Sequence, residues 1–168
     1  TTTAVNLTAS LAAAERATLL VDIDPQANAS SAYGFTAPEL QLYDALVDDA
    51  LIPEITHPTE LSHLHLVPSG PDLVGAEIEL VTMEDRESRM RRVLEPVACA
   101  YDYIIIDCPP SLGLLTVNAL TAADAVIIPL QCEYYALEGL ARLLDTVERI
   151  RRGLNRRLEV EGIVLTMM

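Results

Sequence analysis

Four short apolar runs with little polar alternation frame the chain: residues 19–24 (LLVDID), 101–107 (YDYIIID), 125–130 (AVIIPL) and 162–168 (GIVLTMM). Strands buried on both faces of a parallel sheet read this way, because neither face alternates with solvent. Residues 64–68 (LHLVP) are a weaker candidate strand. Helical patterns lie between the runs. Residues 1–16 are dense in alanine and small side chains, with Val5, Leu7 and Leu11 available for burial. Residues 136–153 place Leu140, Leu143, Leu144, Val147 and Ile150 at helical spacing. Helices are also predicted over 72–80, 84–100 and 112–123, and a short one over 42–51 is broken by Pro53 and Pro58. Strands alternating with helices predict a single α/β domain, and no internal repeat or linker divides it.

Two of the apolar runs stop at carboxylates. Asp22 and Asp24 close the first. Asp107 closes the run at 101–107, and Cys108, Pro109 and Pro110 follow it. Proline fixes φ and removes a backbone donor, so the strand ends there. Ligands of open α/β sheets bind at the carboxyl ends of strands, where an aspartate is well placed to hold a hydrated magnesium ion. Read alone, Asp107 is equally a capping acid in a tight turn. If the strands are parallel the three acids meet along one sheet edge, and convergent carboxylates suggest a cation. Thr1, Thr2 and Thr3 lie at the start of a helix, whose free N–H groups and dipole attract phosphate. A threonine hydroxyl there can ligate magnesium. The pattern G-x-x-x-x-G-K-[ST] ends on such a residue and runs into a helix, so the chain could begin just after its Gly-Lys; a threonine run alone reads first as an ordinary helix start.

Composition narrows the classes. A length of 168 residues suits one domain with a full core. With 51% apolar and 4% aromatic residues, that core must be aliphatic and alanine-rich. A net charge of −14 argues against the surface as a whole binding nucleic acid or an anionic membrane. A local patch can override this, and residues 149–157 (RIRRGLNRR) are open to two readings: contacts to DNA phosphates, or cations complementing a helix dipole. All 11 basic residues are arginine. Without lysine, a phosphoacceptor receiver domain, which also clusters acids at strand ends, is excluded. Cys99, Cys108 and Cys132 form no CxxC pair, so neither a disulfide framework nor a zinc site is suggested and a reducing cytosol fits. Cys108 reads as a small buried hydrophobe rather than a nucleophile or cluster ligand. His57, His63 and His65 fall in a proline-interrupted segment that reads as surface loop. There is no signal peptide and no apolar run long enough to span a bilayer.

Taken together, TTTAVNL, LLVDIDPQAN, YDYIIIDCPPSLGLLTVNAL and IIPLQCEYYALEGL resemble the ParA family of deviant P-loop ATPases, chromosome- and plasmid-partitioning proteins, in its Soj-like branch. The resemblance covers essentially the whole chain. It implies a P-loop NTPase-like three-layer sandwich: a twisted, mostly parallel sheet with helices on both faces. It implies ATP hydrolysis with ATP and Mg2+ as cofactors, and a cycle in which ATP favours a sandwich homodimer that binds DNA nonspecifically. A ParB-type partner then stimulates hydrolysis and release, in the cytoplasm, on the nucleoid and away from the membrane.

Carried to this sequence, the resemblance gives Thr1 the magnesium-ligating hydroxyl and places Thr2 close to the α-phosphate. Asp24 becomes the catalytic acid that positions the attacking water, Asp22 an acid near the metal, and Asp107 the acid that holds magnesium through water. Pro109 and Pro110 fall in the turn that responds to the γ-phosphate. Phosphoryl transfer asks mainly for positioning and charge neutralisation, which suits this set.

Three departures stand out. The family's glycine-rich loop, with its catalytic lysine and the signature lysine that reaches across the dimer, is expected just upstream together with the first strand. Ala27 stands where the family often has glycine. The carboxyl-terminal part, with much of the base pocket and the DNA-binding basic residues, is expected beyond Met168. The fragment by itself is therefore expected to hydrolyse nothing. The alternatives are a MinD-like positioning ATPase and a non-catalytic pseudo-ATPase interaction module; QCEYYALEG looks more like the partitioning branch.

Overall fold

The computed structural model describes residues 1–36, 38–133 and 136–167. Tyr134, Tyr135 and Met168, at the centre of the QCEYYALEG motif and at the end of the last predicted strand, lie outside the described residues. Helix α1 (Thr2–Ala13) leads into β1 (Thr18–Asp22), then α2 (Asn28–Ala32) and α3 (Leu42–Val47). Next come β2 (His57–Pro58), β3 (Leu64–Val67), α4 (Leu73–Glu79), α5 (Arg89–Leu94) and β4 (Tyr103–Asp107). The order closes with α6 (Leu114–Ala122), β5 (Ala125–Gln131), α7 (Ala136–Gly153) and β6 (Glu159–Thr166). Among the described residues the strands form two sheets, β2-β3-β1-β4 and β5-β6. β1 is parallel to both β3 and β4, β2 runs antiparallel to β3, and β5 and β6 are parallel.

The period-2 alternation of β1 builds the layers. Leu19 and Val21 face a core shared with Leu42, Leu46, Leu73, Met90 and Leu115 from α3 to α6. Leu20, between them, faces the other way onto Ala12 of α1 and Ala29 of α2. All five β1 residues are buried, as a strand covered on both faces requires. A separate cluster of Leu120, Val147, Ile150 and Leu158 seats α7 against α6 and the β5–β6 pair. Between α1 and that pair lies an apolar cleft of about 440 Å³ whose walls include Leu7, Ile127 and Val164.

Several predicted boundaries shift, each for a local reason. The helix predicted over 84–100 is two elements, α5 and a 3-10 turn over Glu95–Ala100. Asp85, at φ 54°, stops a helix starting earlier, and Pro96 sits in the first turn of the 3-10 segment. α3 ends at Val47 because the chain reverses through Asp49 at φ 59°. His57, expected in a surface loop, lies in the edge strand β2 with its Nε2 buried and unpartnered. β4 is not buried on both faces: Ile104, Ile105 and Ile106 are half-buried and Tyr103 is 46% exposed. The reason is that, among the described residues, β4 pairs on one side only, with β1.

Ala27 initiates α2 from the left-handed region, at φ 51° and ψ 36°. An L-residue there costs about 1–2 kcal/mol, whereas glycine does not. Ala27→Gly is therefore expected to stabilise the protein by roughly 0.5–1 kcal/mol after allowing for the greater freedom of glycine in the unfolded chain. A higher urea midpoint at unchanged m-value would show this; a lower midpoint would contradict it.

Candidate nucleotide site at the strand ends

The parallel register aligns Asp22 with Asp107 across β1 and β4, and the Ile23 N–H donates to Asp107 O at 3.0 Å. Paired residues of a parallel ladder point to the same face, so both acids lie on the α1–α2 side of the sheet, with Leu20 and Ile105. A slip of one residue would turn them into the opposite core.

Asp22 is fully buried and both of its oxygens are used by the protein. Oδ1 accepts the Asp24 N–H at 3.1 Å, while Oδ2 accepts the Ser30 N–H at 2.8 Å and its hydroxyl at 2.7 Å. The Ser30 amide belongs to the first turn of α2, where N–H groups have no helical partner. Ala27 has no side chain to cap that turn, so Asp22 does it from the neighbouring strand. The network continues: the Ser69 N–H donates to Ser30 Oγ at 2.9 Å, and the Ser69 hydroxyl donates to Asp24 O at 2.7 Å. The ends of β1 and β3 and the start of α2 are thus locked together beneath Asp24.

Asp24 sits above this lock, 6% exposed, with Oδ1 accepting the Gln26 N–H at 2.9 Å. Its Oδ2 accepts no hydrogen bond among the described residues, which leaves it free to hold a water. Asp107 is 5% exposed, and its Oδ1 lies 3.0 Å from the Thr1 backbone nitrogen at the positive end of α1. Asp107 Oδ2 is buried with no partner. Thr2 lies on the cleft beside β5–β6, and Pro109 is half-buried in the bend after Asp107. In the same bend Gly113 meets α4 so closely that a Cβ would sit 2.2 Å from Glu77 Oε1, so a side chain there would have to displace the Glu77 carboxylate.

Thr1 and Asp107 are therefore brought together, and Asp22 and Asp24 are joined through Ser30 and Ser69. Among the described residues no group of three acidic, histidine or cysteine side chains is arranged to hold a metal. Asp22 is saturated by protein donors, whereas Asp24 and Asp107 each keep one oxygen open, and that of Asp107 is buried. A carboxylate oxygen and the Thr1 hydroxyl are hard donors of the kind magnesium takes, so the residues present fit that ion. The serines escaped the sequence reading because their partners are 8 and 39 residues away, and no local pattern encodes such contacts.

Burial pushes the Asp22 carboxyl above the usual aspartate range. The Ser30 and Asp24 donors pull the other way, and the Asp107 charge adds to the rise. Burial likewise pushes the Cys108 thiol up to about 12. It is a neutral thiol at physiological pH, which fits a small hydrophobe.

A family model described as an AAA domain matches residues 1–160. The chromosome partitioning protein ParA of Myxococcus xanthus is 61% identical over 99% of this chain and 60% of its own length. The sporulation initiation inhibitor protein Soj of Bacillus subtilis is 55% identical over 100% of this chain and 67% of its own length. The chain belongs to the ParA/Soj family of P-loop ATPases. Among solved structures, a cobyrinic acid a,c-diamide synthase from Mycobacterium smegmatis with bound ADP and magnesium superposes at a TM-score of 0.92 and 36% identity, covering 98% of this chain and 68% of that one. The P-loop NTPase-like α/β fold is thereby established, while the chain spans 60% of the length of the Myxococcus ParA.

The Asp22 lock has a measurable signature. In Asp22→Asn an amide nitrogen would face a Ser30 or Asp24 N–H donor, so a loss of about 1–3 kcal/mol is expected in urea unfolding. A carboxyl whose folded pKa is raised contributes stability that is complete below the unfolded value of 3.8 and is lost as pH rises through the folded value. The gap between wild type and Asp22→Asn should therefore narrow as pH rises from about 4; a gap that widens would refute this account of the carboxyl.

Proposed function

We propose that this chain is the strand-end half of an ATP-hydrolysing partitioning switch. The observation that carries the reading is Asp107 Oδ2: a buried carboxylate oxygen without a protein partner, beside the amino end of α1. Leaving such an atom unsatisfied costs about 1–3 kcal/mol or more, so a site that keeps one is built for a ligand. Thr1 and Asp107 would hold magnesium, the latter through water, and the ion would neutralise phosphate charge. Thr2 lies next along α1, near the α-phosphate. The free amides of the first turn of α1 bind phosphate oxygens. Asp24, fixed by Ser69 and by its own turn, orients the attacking water through its open oxygen. Asp22 holds Asp24 and α2 in place from below, and Pro109 and Pro110 stiffen the bend that faces the γ-phosphate.

The remaining phosphate contacts come from residues outside these 168, since the sequence contains neither a lysine nor a glycine-rich loop. In this reading a preceding strand lies between β4 and β5 and joins the two sheets. Supporting it, each of these strands has a ladder partner on one side only among the described residues, and Tyr103 and Ile127 are 46% and 39% exposed. The lysine loop would then run from that strand directly into α1.

The names of the relatives extend the reading to biology. With Myxococcus ParA and Bacillus Soj as its relatives, the full-length protein is proposed to form an ATP-dependent homodimer, to bind DNA nonspecifically and to be stimulated by a ParB-type protein, in the cytoplasm and on the nucleoid. No described helix is long and apolar enough to cross a membrane.

Two measurements test the chemistry. In the full-length protein, Asp24→Ala should retain ATP and magnesium binding and lose about a hundredfold or more of hydrolysis, the usual worth of a group that positions or activates a nucleophile. Turnover near the wild-type rate would remove Asp24 from the mechanism. Residues 1–168 expressed alone should show no ATP turnover, and sustained lysine-independent hydrolysis by them would overturn the proposal.

A further inference from the structure

The densest positive charge in the chain lies at the end of α7 and in the turn after it, where Arg149, Arg151, Arg152, Arg156 and Arg157 fall within nine residues. Two of them are neutralised along the helix, Arg149 by Asp145 and Arg152 by Glu148, each at 2.8 Å. Arg151, Arg156 and Arg157 are exposed and form no ion pair among the described residues. Packing adds Arg91 of α5 to the same corner: its guanidinium donates to Thr121 O at the end of α6 and to Leu154 O at 3.5 Å.

The turn that presents these arginines is anchored by buried contacts. Asn155 is 7% exposed and donates from Nδ2 to Leu120 O at 3.0 Å and Ala123 O at 2.6 Å. Its Oδ1 accepts the Arg157 N–H at 3.3 Å. Leu158 is fully buried among Leu120, Val147 and Ile150. Arg156 and Arg157 therefore stand between two anchors. Complementing the helix dipole accounts for Arg151 and Arg152 in the last turn of α7, but not for two arginines beyond its end.

We infer that this corner binds the phosphate backbone of duplex DNA, with Arg151, Arg156 and Arg157 as phosphate contacts. The inference deepens the DNA-binding part of the function proposed above and places contacts inside this chain rather than beyond Met168. Duplex DNA is favoured over other polyanions on three grounds. Residues 136–167 contain no aromatic side chain on which single-stranded bases could stack. The apolar side chains of α7 nearest the corner, Val147 and Ile150, are buried and not available to a bilayer. The corner also lies at the far end of α6 from the Asp107 bend, nine residues or roughly 13 Å along the helix, so it is separate from the nucleotide acids. With a net charge of −14, the rest of the surface repels DNA, and the corner fixes the side from which a duplex approaches. Asp124 and Glu159, where β5 and β6 begin, border the corner and limit its extent.

The test uses the full-length protein with ATP and a random duplex of about 30 base pairs, followed by fluorescence anisotropy from roughly 50 to 200 mM salt. The triple change Arg151→Ala, Arg156→Ala, Arg157→Ala should weaken binding roughly tenfold or more and flatten the log-affinity against log-salt slope by about 2 to 3. The corresponding triple lysine variant should restore most of the slope, and ATP turnover should be unchanged in both. Wild-type affinity and slope in the alanine variant overturn the inference, as does a wild type that binds no duplex or prefers anionic phospholipid vesicles. A wild type without ATP turnover whose DNA binding still depends on these arginines would count against the ATPase reading and leave this surface standing.

Discussion

The Asp22 carboxylate is the constraint on which the rest of the strand-end architecture depends. It is an acid taken fully out of water, with each oxygen occupied by donors from a different part of the chain. Hydrogen bonds to a charged acceptor contribute about 1.5–3 kcal/mol each, and they offset part of the desolvation, which still raises the carboxyl pKa. Because Ser30 also accepts from Ser69, and Ser69 reaches back to Asp24, the lock spans β1, α2 and the segment after β3. None of these parts can move without leaving a buried polar group unpaired.

That lock divides labour among three acids whose surroundings differ. Asp22 is saturated and structural. Asp24 is held by its backbone and keeps one oxygen open. Asp107 is set against the amino end of α1 and retains a buried oxygen without a partner. Reactive geometry is thus separated from the residues that support it, and a phosphoryl-transfer site needs this arrangement because positioning contributes so much of its effect.

The molecule is also organised by charge. A strongly acidic chain carries one anchored corner of arginines, set at the opposite end of α6 from the acid-bearing bend. The half-buried isoleucines of β4 and the apolar cleft between α1 and β5–β6 mark where the two sheets fail to meet among the described residues. Parallel sheets are rarely left uncovered in this way, since their faces and edges are apolar by construction.

Much of this was legible in the sequence. Uninterrupted β-branched runs ending in aspartate, separated by helical periods, are local patterns, and they fixed the α/β class, the strand positions and the identity of Asp22, Asp24 and Asp107 as acids at strand ends. Local pattern also placed five arginines in nine positions. Only the tertiary structure decided what each did. Asp22 and Asp24 stand two residues apart in one run, yet one is saturated and the other open, because the donors come from Ser30 and Ser69 across the fold. The burial of the 104–106 isoleucines fell short of their hydrophobicity because burial depends on the neighbouring strand. Arg91 joined the basic corner through the packing of α5 on α6 and its bond to Leu154 just after α7. A sequence determines which groups are present and their local period; which of them remain unpaired depends on contacts distant in the chain.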